Sequence, residues 1–386
     1  MNREENTQIS FEAIVTVAPD RAVAAAMNFN GLFELNLRTG ACSFLNLFPD
    51  EKPYKQRLFA KALKYQNKVI FVPSSAEKLV IYDLDDKSFL NITVILQEEY
   101  ASFNKNYKFA DGFIKEDTLF LIPSTYPEVV FIDLKVWTVS SIEINTCDSF
   151  VFRKGMCEVD NSIFVPSMIN NIVLEFNYHT LTPMIHYVGE RNKGCWSICN
   201  CNGLFYLAPK TQGGILCWNK EENLVLEIKD YPEMFEGNEF LFNKIYSNEN
   251  YVYLIPAYAN MFLKISVNDI KIQELNLINM ENTNNIAFLA EERGYYLLRK
   301  EKKDGLFEHW ILNTRNNELI MVDFNISSNE ERWKEILVRE KSFRENKQFN
   351  LKSMLKGMSG LPNNGIEEYY ETTKMVGEQI EKVITS

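Results

Sequence analysis

Charged side chains recur at one position of a repeating pattern, twelve residues before a proline that ends an apolar run. The residues at this position are Lys61, Asp111, Lys154, Ser197 and Lys244. A charge enclosed between strands is costly unless it is paired or hydrated. Two arrangements meet this requirement. Either Asp111 neutralises the neighbouring lysines in a water-filled space, or the lysines and Arg153 together bind a carboxylate, a phosphate or an acidic sugar.

The positions beside this charged column hold aromatic and further polar residues. Two positions earlier, simple alternation along a strand places on the same face Phe59, Phe109, Phe152, Cys195 and Phe242. Between the two columns lie Ala60, Ala110, Arg153, Trp196 and Asn243. Arg153 and Trp196 are therefore candidate ligand contacts.

These columns belong to a repeat, as the stretches KVIFVPSSAEKLVIYDL (68–84) and TLFLIPSTYPEVVFIDL (118–134) show. The second apolar run of each copy ends in a short polar residue that can bond the backbone of a following turn. These residues are Asn36, Asp83, Asp133, Asn177, Asn219, Ser266 and Asn313, at intervals of 47, 50, 44, 42, 47 and 47 residues. Proline lacks an amide hydrogen and marks the end of the preceding strand. Ala26 and Arg299 take its place in the outer copies.

Seven copies of a 40 to 50 residue unit with several short strands resemble the β-propeller superfamily. The Gly-His and Trp-Asp marks of WD40 repeats are absent, as are the repeated double glycine of kelch repeats and the sialidase box. The resemblance therefore indicates an architecture and no specific family. We predict an all-β fold over residues 1–326, a seven-bladed β-propeller of four-stranded antiparallel blades. The blades are expected to begin near Phe11, Leu58, Lys108, Phe150, Cys195, Glu239 and Ile286.

The last part of the chain, residues 327–386, has a helical pattern instead. Ser328 stands three residues before Glu331, the spacing of a capping box. Apolar residues then follow a period of 3.6 at Ile366, Tyr369, Tyr370, Val376, Ile380 and Val383. We expect a C-terminal helical extension that either packs against the propeller or mediates assembly through its last helix.

In a propeller, the innermost strands line a central channel and the loops after the second strands surround one of its ends. These loops follow the prolines and contain Ser74, Ser75, Ser124, Thr125, Tyr126, Ser167, Lys210, Thr211 and Tyr258. Their hydroxyls either close their own turns or bind a polar ligand. The candidate ligand-binding set is Lys61, Asp111, Arg153, Lys154, Trp196, Lys244, Tyr126 and Tyr258.

Metal and histidine chemistry find little support in the sequence. Four cysteines, Cys195, Cys199, Cys201 and Cys217, lack the C-x2-C spacing typical of zinc sites. The three histidines, His179, His186 and His309, fall in a turn and in outer strands. We therefore expect no metal and no cofactor, and the sequence identifies no catalytic residue.

The composition narrows the kinds of partner. A net charge of -11, from 41 basic and 52 acidic residues, argues against nucleic acid. No apolar run reaches the 18 residues of a membrane span, and the first residues are polar, without the apolar segment of a secretory signal. Seven irregularly spaced cysteines are typical of a reducing compartment. The expected location is the cytoplasm.

Two functions remain open at this point. One is a binding or scaffold propeller, accessory to a biosynthetic pathway, that presents its channel-mouth loops to a protein, a peptide or a glycan. The alternative is a propeller enzyme, such as a lyase, an epimerase or a hydrolase, that acts on an acidic sugar or a peptide at the channel mouth. In the alternative, lysine and carboxylate groups would transfer protons.

Overall fold

A computed structural model describes residues 9–95, 107–146, 148–211, 213–237, 240–277, 286–292, 294–301, 307–322 and 324–326. These residues form seven sheets, each built on four antiparallel strands that follow one another along the chain, and one sheet has a fifth, parallel strand at its edge. The inner strand of the first blade contacts the inner strands of both the second and the seventh blade, and inner strands of most other neighbouring blades also pack together. The seven-bladed propeller is confirmed. The predicted helical extension, 327–386, lies outside the described residues.

The first four blades contain sixteen strands. Blade 1 is β1 (Phe11–Ala18), β2 (Arg21–Ala26), β3 (Leu32–Asn36) and β4 (Ala41–Asn46). Blade 2 is β5 (Phe59–Tyr65), β6 (Lys68–Pro73), β7 (Leu79–Asp83) and β8 (Phe89–Ile92). Blade 3 is β9 (Phe109–Lys115), β10 (Thr118–Pro123), β11 (Glu128–Asp133) and β12 (Val139–Glu143). Blade 4 is β13 (Cys157–Val159), β14 (Ser162–Pro166), β15 (Ile172–Asn177) and β16 (Thr182–Tyr187).

The remaining blades follow the same order. Blade 5 is β17 (Cys195–Cys201), β18 (Leu204–Pro209), β19 (Ile215–Asn219) and β20 (Leu224–Ile228). Blade 6 is β21 (Phe242–Ser247), β22 (Tyr251–Pro256), β23 (Leu263–Ser266) and β24 (Ile272–Glu274). Blade 7 is β25 (Ile286–Glu292), β26 (Tyr295–Glu301), β27 (Phe307–Asn313) and β28 (Glu318–Val322), and a short strand β29 (Asn325–Ile326) follows it.

The strand ends agree with the residues that predicted them. Prolines are the last residues of β6, β10, β14, β18 and β22. The side-chain oxygens of Asn36, Asp83 and Asp133 accept hydrogen bonds from amides two residues ahead, at 2.8 to 3.0 Å. The predicted turn-closing role is therefore confirmed for these residues.

No helix among the described residues has the length and apolar character needed to cross a membrane.

One backbone hydrogen bond recurs between successive blades. The carbonyl of the residue after the proline position accepts from an N–H at the beginning of the next blade. The six N–H to O pairs are Arg57–Met27 (2.9 Å), Lys108–Ser74 (3.1 Å), Phe152–Ser124 (2.9 Å), Cys195–Ser167 (2.9 Å), Phe240–Lys210 (2.7 Å) and Ile286–Ala257 (3.0 Å). Proline ends the second strand in five of these blades and Ala26 ends it in the first, and in each case the next carbonyl ties one blade to its neighbour.

The junction between blade 7 and blade 1 uses a side chain. Arg299 Nη1 donates a hydrogen bond to Ser10 Oγ at 2.7 Å. The sequence had placed Arg299 at the proline position, but there Leu298 pairs with Phe288, the residue before the bulge, so Arg299 stands one residue further along. Strand β29 pairs in parallel with β4 at the outer edge of blade 1. The Phe324 ring contacts both Phe11 and His309, with ring centroids 5.6 and 4.9 Å apart. This seam closes the ring with contacts that the other junctions do not share.

Acid should weaken this seam through His309, which is 5% exposed. Burial and the nearby Arg299 charge lower the pKa of His309 from its ordinary 6.5 to about 4. Between these values the folded state binds fewer protons than the unfolded chain. Stability linked to His309 is therefore complete above pH 6.5 and is lost as the pH falls towards 4. The loss is about 3 kcal/mol at 1.36 kcal/mol per pKa unit.

Urea unfolding at pH 7 and pH 4.5 measures this effect. His309→Gln should show a smaller fall in unfolding free energy over this interval than the unchanged protein. His179→Gln is the matched control, because His179 is an exposed turn residue. Equal pH dependence in all three proteins would contradict the assignment to His309.

Candidate functional site

A β-bulge at the inner strand orients the charged column. In blade 2, Phe59 pairs with Pro73 and Lys61 pairs with Val72, which leaves Ala60 without a partner residue. Phe59 packs between blades 1 and 2, against the rings of Phe48 and Phe71. Ala60 packs on the opposite side, in the core shared by blades 2 and 3. Because a bulge adds one residue, it shifts the alternation of side chains beyond it.

The same bulge occurs in five other blades and corrects the expected alternation. The extra residues are Glu12, Ala110, Trp196, Asn243 and Leu289. In blade 6, Phe242 packs towards blade 5, whereas Lys244 reaches Glu291 of blade 7. The charged residue and the aromatic residue two positions earlier therefore lie on opposite faces. Alternation alone had placed them on the same face.

Blade 4 departs further from the pattern at residues 153–156. Phe152 still pairs with Ser167, but regular pairing resumes only at Cys157, so four residues stand opposite two. The carbonyl of Gly155 instead accepts a hydrogen bond from Ile198 N of blade 5, at 2.9 Å. A Cβ at Gly155 would lie 2.5 Å from Trp196 O, so glycine permits this close approach. The detour places Arg153 and Lys154 in the channel region.

The structure brings four predicted residues into one pocket. Its lining includes Lys61, Asp111, Lys154 and Lys244, with Glu12 and Glu291 as added carboxylates. Lys61 Nζ lies 2.7 Å from Asp111 Oδ1, and Lys244 Nζ lies 3.4 Å from Glu291 Oε2. Each pair joins two neighbouring blades. Asp111 and Lys244 are only 7% and 6% exposed, but the Glu291 side chain is 45% exposed, so the Lys61–Asp111 pair is the better shielded of the two.

Lys154 extends from blade 4 towards the opposite side of the ring. Its Nζ donates to Leu289 O of blade 7 at 3.3 Å and to Glu12 O of blade 1 at 3.5 Å. The pocket beneath encloses about 20 Å³, which is room for a water-sized species. Lys154 keeps some contact with this space but is surrounded by protein. Burial lowers its pKa, while the negative charge of Glu12 opposes that shift.

Aromatic and basic side chains form an arc at the channel mouth across blades 3 to 6. We call this group the mouth arc. The Arg153 guanidinium lies over the Tyr107 ring, 4.5 Å from its centroid. Trp196 meets Phe240 edge to face at 5.3 Å, and Lys210 Nζ lies 5.4 Å from the Phe240 centroid. The mouth arc therefore comprises Tyr107, Arg153, Trp196, Lys210 and Phe240.

The post-proline hydroxyls are mostly engaged within the protein. Ser75 Oγ donates to Gln56 O at 2.7 Å, and Ser124 Oγ donates to Phe152 O at 3.0 Å. Tyr126 is 2% exposed, and its hydroxyl donates to Glu128 Oε2 at 2.6 Å, so it lies in the core and away from the pocket. Tyr258 is 47% exposed on the loop after Pro256.

Sequence reasoning did not find Glu12, Arg57, Tyr107 or Glu291. The predicted channel positions were counted back from the proline at the end of each second strand, and the first and last repeats have no proline there. Strand β1 also contains a second register shift, between Thr16 and Ala18, which adds one residue. Counting back from Ala26, as from the prolines of the other blades, therefore misses Glu12 by one residue. Tyr107 lies just before an inner strand, outside the columns.

The cysteines and histidines lie apart from the charged pocket lining. Burial raises the pKa of Cys157 and of Cys195 to about 12, which keeps both thiols protonated. His186 sits on outer strand β16 and contacts Glu175 Oε2 at 2.6 Å. Over the described part of the chain, no three His, Cys, Asp or Glu side chains are grouped to hold a metal ion.

Comparisons with known proteins place the chain by its fold alone. No protein-family model and no curated protein matches it. A streptogramin B lyase structure matches at 14% identity and a TM-score of 0.51, over 80% of this chain and 91% of that one. A catalytically inactive histidine-to-alanine variant of virginiamycin B lyase from Staphylococcus aureus, with quinupristin, matches at 11% identity and a TM-score of 0.54, over 76% and 92%.

The Lys61–Asp111 pair makes a testable contribution to stability. Asp111→Asn should lower the free energy of unfolding by about 2 kcal/mol, because it leaves the half-buried Lys61 ammonium without its counterion. Urea denaturation measures the change. Lys61→Met combined with Asp111→Leu should recover most of the loss, since both charges are then removed.

Asp50→Asn is the matched control. Asp50 pairs with Lys78 at 3.3 Å, but both side chains are exposed, so we expect a change below about 0.5 kcal/mol. Equal losses for Asp111→Asn and Asp50→Asn would show that the channel pair has no special shielding.

Proposed function

We propose that this propeller is a binding protein whose channel-mouth face recognises a protein or peptide segment. The mouth arc and the exposed Tyr258 supply the contact surface. The observation that carries the proposal is the contrast between the two levels of the channel. The deep level is filled by the ion pairs Lys61–Asp111 and Lys244–Glu291, whereas the mouth offers aromatic rings and cations without ion-pair partners among the described residues.

The narrow pocket favours contact at the face over enclosure of a substrate. A drug-sized ligand typically needs a cavity of about 300 to 1,000 Å³. The space beneath Lys154, about 20 Å³, is far smaller. A partner would therefore insert at most one small group into the channel and lie across the loops with the rest of its surface.

The composition of the mouth resembles that of protein interfaces. Tyr, Trp, Phe and Arg are enriched where partners bind, because their large, stiff side chains bury much area at a low entropic cost. The mouth arc contains all four residue types. The cation–π pairs Arg153–Tyr107 and Lys210–Phe240 hold two of its rings in place.

The enzyme alternative has less support. The lyases share only the propeller fold with this chain at these identities, and one of them is catalytically inactive as a histidine-to-alanine variant. The lining of the charged pocket in this chain contains no histidine among the described residues. Its lysines and carboxylates are mostly paired with each other, which leaves few groups available for proton transfer.

Site-specific photo-cross-linking tests the binding proposal. A photoreactive amino acid at position 258 should yield a defined protein or peptide adduct in host extract. The same residue at position 224 is the control, because Leu224 is 62% exposed on outer strand β20, away from the mouth. Replacing Trp196 with Ala should reduce the adduct at 258. Equal adducts at both positions, or none at 258, would contradict recognition at the mouth.

A further inference from the structure

We infer that the channel mouth contains a site for one anionic group, a carboxylate or a phosphate, held by Arg153 and Lys154 with Arg57 at its entrance. The inference rests on the proposed function and specifies the chemistry of its ligand. The anionic group would enter the channel, and the remainder of the ligand would lie on the mouth arc.

The first support is a contrast among the cations of the channel. Lys61 and Lys244 each have a carboxylate partner in a neighbouring blade. Arg153 and Lys154 have none among the residues that the structure describes, and Lys154 reaches only backbone carbonyls at 3.3 and 3.5 Å. A half-buried cation without a counterion is costly. A bound anion would supply the negative charge that the described residues do not place beside these two cations.

The second support is the orientation of Arg153. Its Nε contacts Met168 Sδ at 3.3 Å, and its plane lies over Tyr107. These two contacts fix the guanidinium but leave its terminal nitrogens without a carboxylate or carbonyl acceptor among the described residues. A planar fork held in this way matches the two oxygens of a carboxylate or a phosphate.

The third support is the local excess of positive charge. Arg57 is exposed in the loop before β5, where its N–H donates to Met27 O at the junction between blades 1 and 2, and its charge lowers the pKa values of both Arg153 and Lys154. Glu12 provides the opposing negative charge, and one of its oxygens, Oε2, is buried without a hydrogen-bond partner. Lys61 and Asp111 also act on Lys154, so four cations lie near two carboxylates, Glu12 and Asp111, in a protein whose net charge is -11.

The size of the space limits what enters. The pocket that Lys154 helps to line has room only for a water-sized species, so the anionic group stays outside it, beside Arg153 and Lys154. The adjacent Trp196 and Phe240 rings can then contact an apolar or aromatic part of the ligand. A carboxylate or phosphate attached to such a part is the ligand class that this arrangement favours.

Ligand-observed NMR with three small probes tests the inference on the full-length protein. Benzoate and phenyl phosphate carry a ring and an anionic group, whereas benzyl alcohol carries the ring alone. We expect one or both anions to bind, and benzyl alcohol to bind at least tenfold more weakly. Tighter binding of benzoate indicates a carboxylate ligand, and tighter binding of phenyl phosphate indicates a phosphate.

Three variants assign the site. Arg153→Gln and Lys154→Met should each weaken anion binding tenfold or more, and Arg57→Gln should weaken it two- to fivefold. Arg57 is exposed, so its variant tests the site even if the other two fold poorly. Arg38→Gln is the matched control, since Arg38 lies on the outer surface and pairs with Asp20 at 2.6 Å.

The possible outcomes separate this inference from the proposed function. Equal binding of all three probes, no binding of the anions, or anion binding that Arg57→Gln leaves unchanged would overturn the anion site. If cross-linking at position 258 still succeeds in that case, recognition at the mouth stands without the anion. If cross-linking fails while the anions bind as expected, the site belongs to a small-molecule ligand instead of a protein or peptide.

Discussion

The ring depends on one backbone hydrogen bond, donated across each junction to the carbonyl that follows the proline position. Proline cannot extend the sheet, so the second strand ends there and the next carbonyl is free to accept from the neighbouring blade. Six junctions use this bond, from Arg57–Met27 to Ile286–Ala257. The inner strands are thereby held side by side, and the bulge beside each proline directs Lys61 and Lys244 towards the following blade.

The seam between blades 7 and 1 shows why the outer copies depart from the repeat. Arg299 stands one residue after the position that proline takes in the other blades, and its long side chain reaches Ser10 in the first blade. Strand β29 then covers the edge of β4. A propeller must close on itself, so its first and last blades need contacts with each other, and the Arg299 side chain provides one of them. The departure from the pattern therefore has a structural role.

The sequence predicted the architecture well because the strand breaks and turn residues carry local physical meaning. Proline ends and Asp or Asn turns fixed the blades to within a few residues, except in blade 4, where Gly155 allows the chain to approach blade 5. The pairing of Lys61 with Asp111 depends on a bulge, and no particular residue type marks that bulge in the sequence. Glu12 and Glu291 came from blades that lack the proline, so periodicity could not locate them.

The seven blades share their strand pattern but differ in the residues that they place at the channel mouth. There, Arg153 and Lys154 lack counterions among the described residues. A crystal structure of the full-length protein grown with benzoate tests the proposed anion site most directly. The account predicts a carboxylate between the Arg153 guanidinium and the Lys154 ammonium, with the Lys61–Asp111 and Lys244–Glu291 pairs intact. A carboxylate of the protein itself in that place, or both cations paired within the chain, would contradict it.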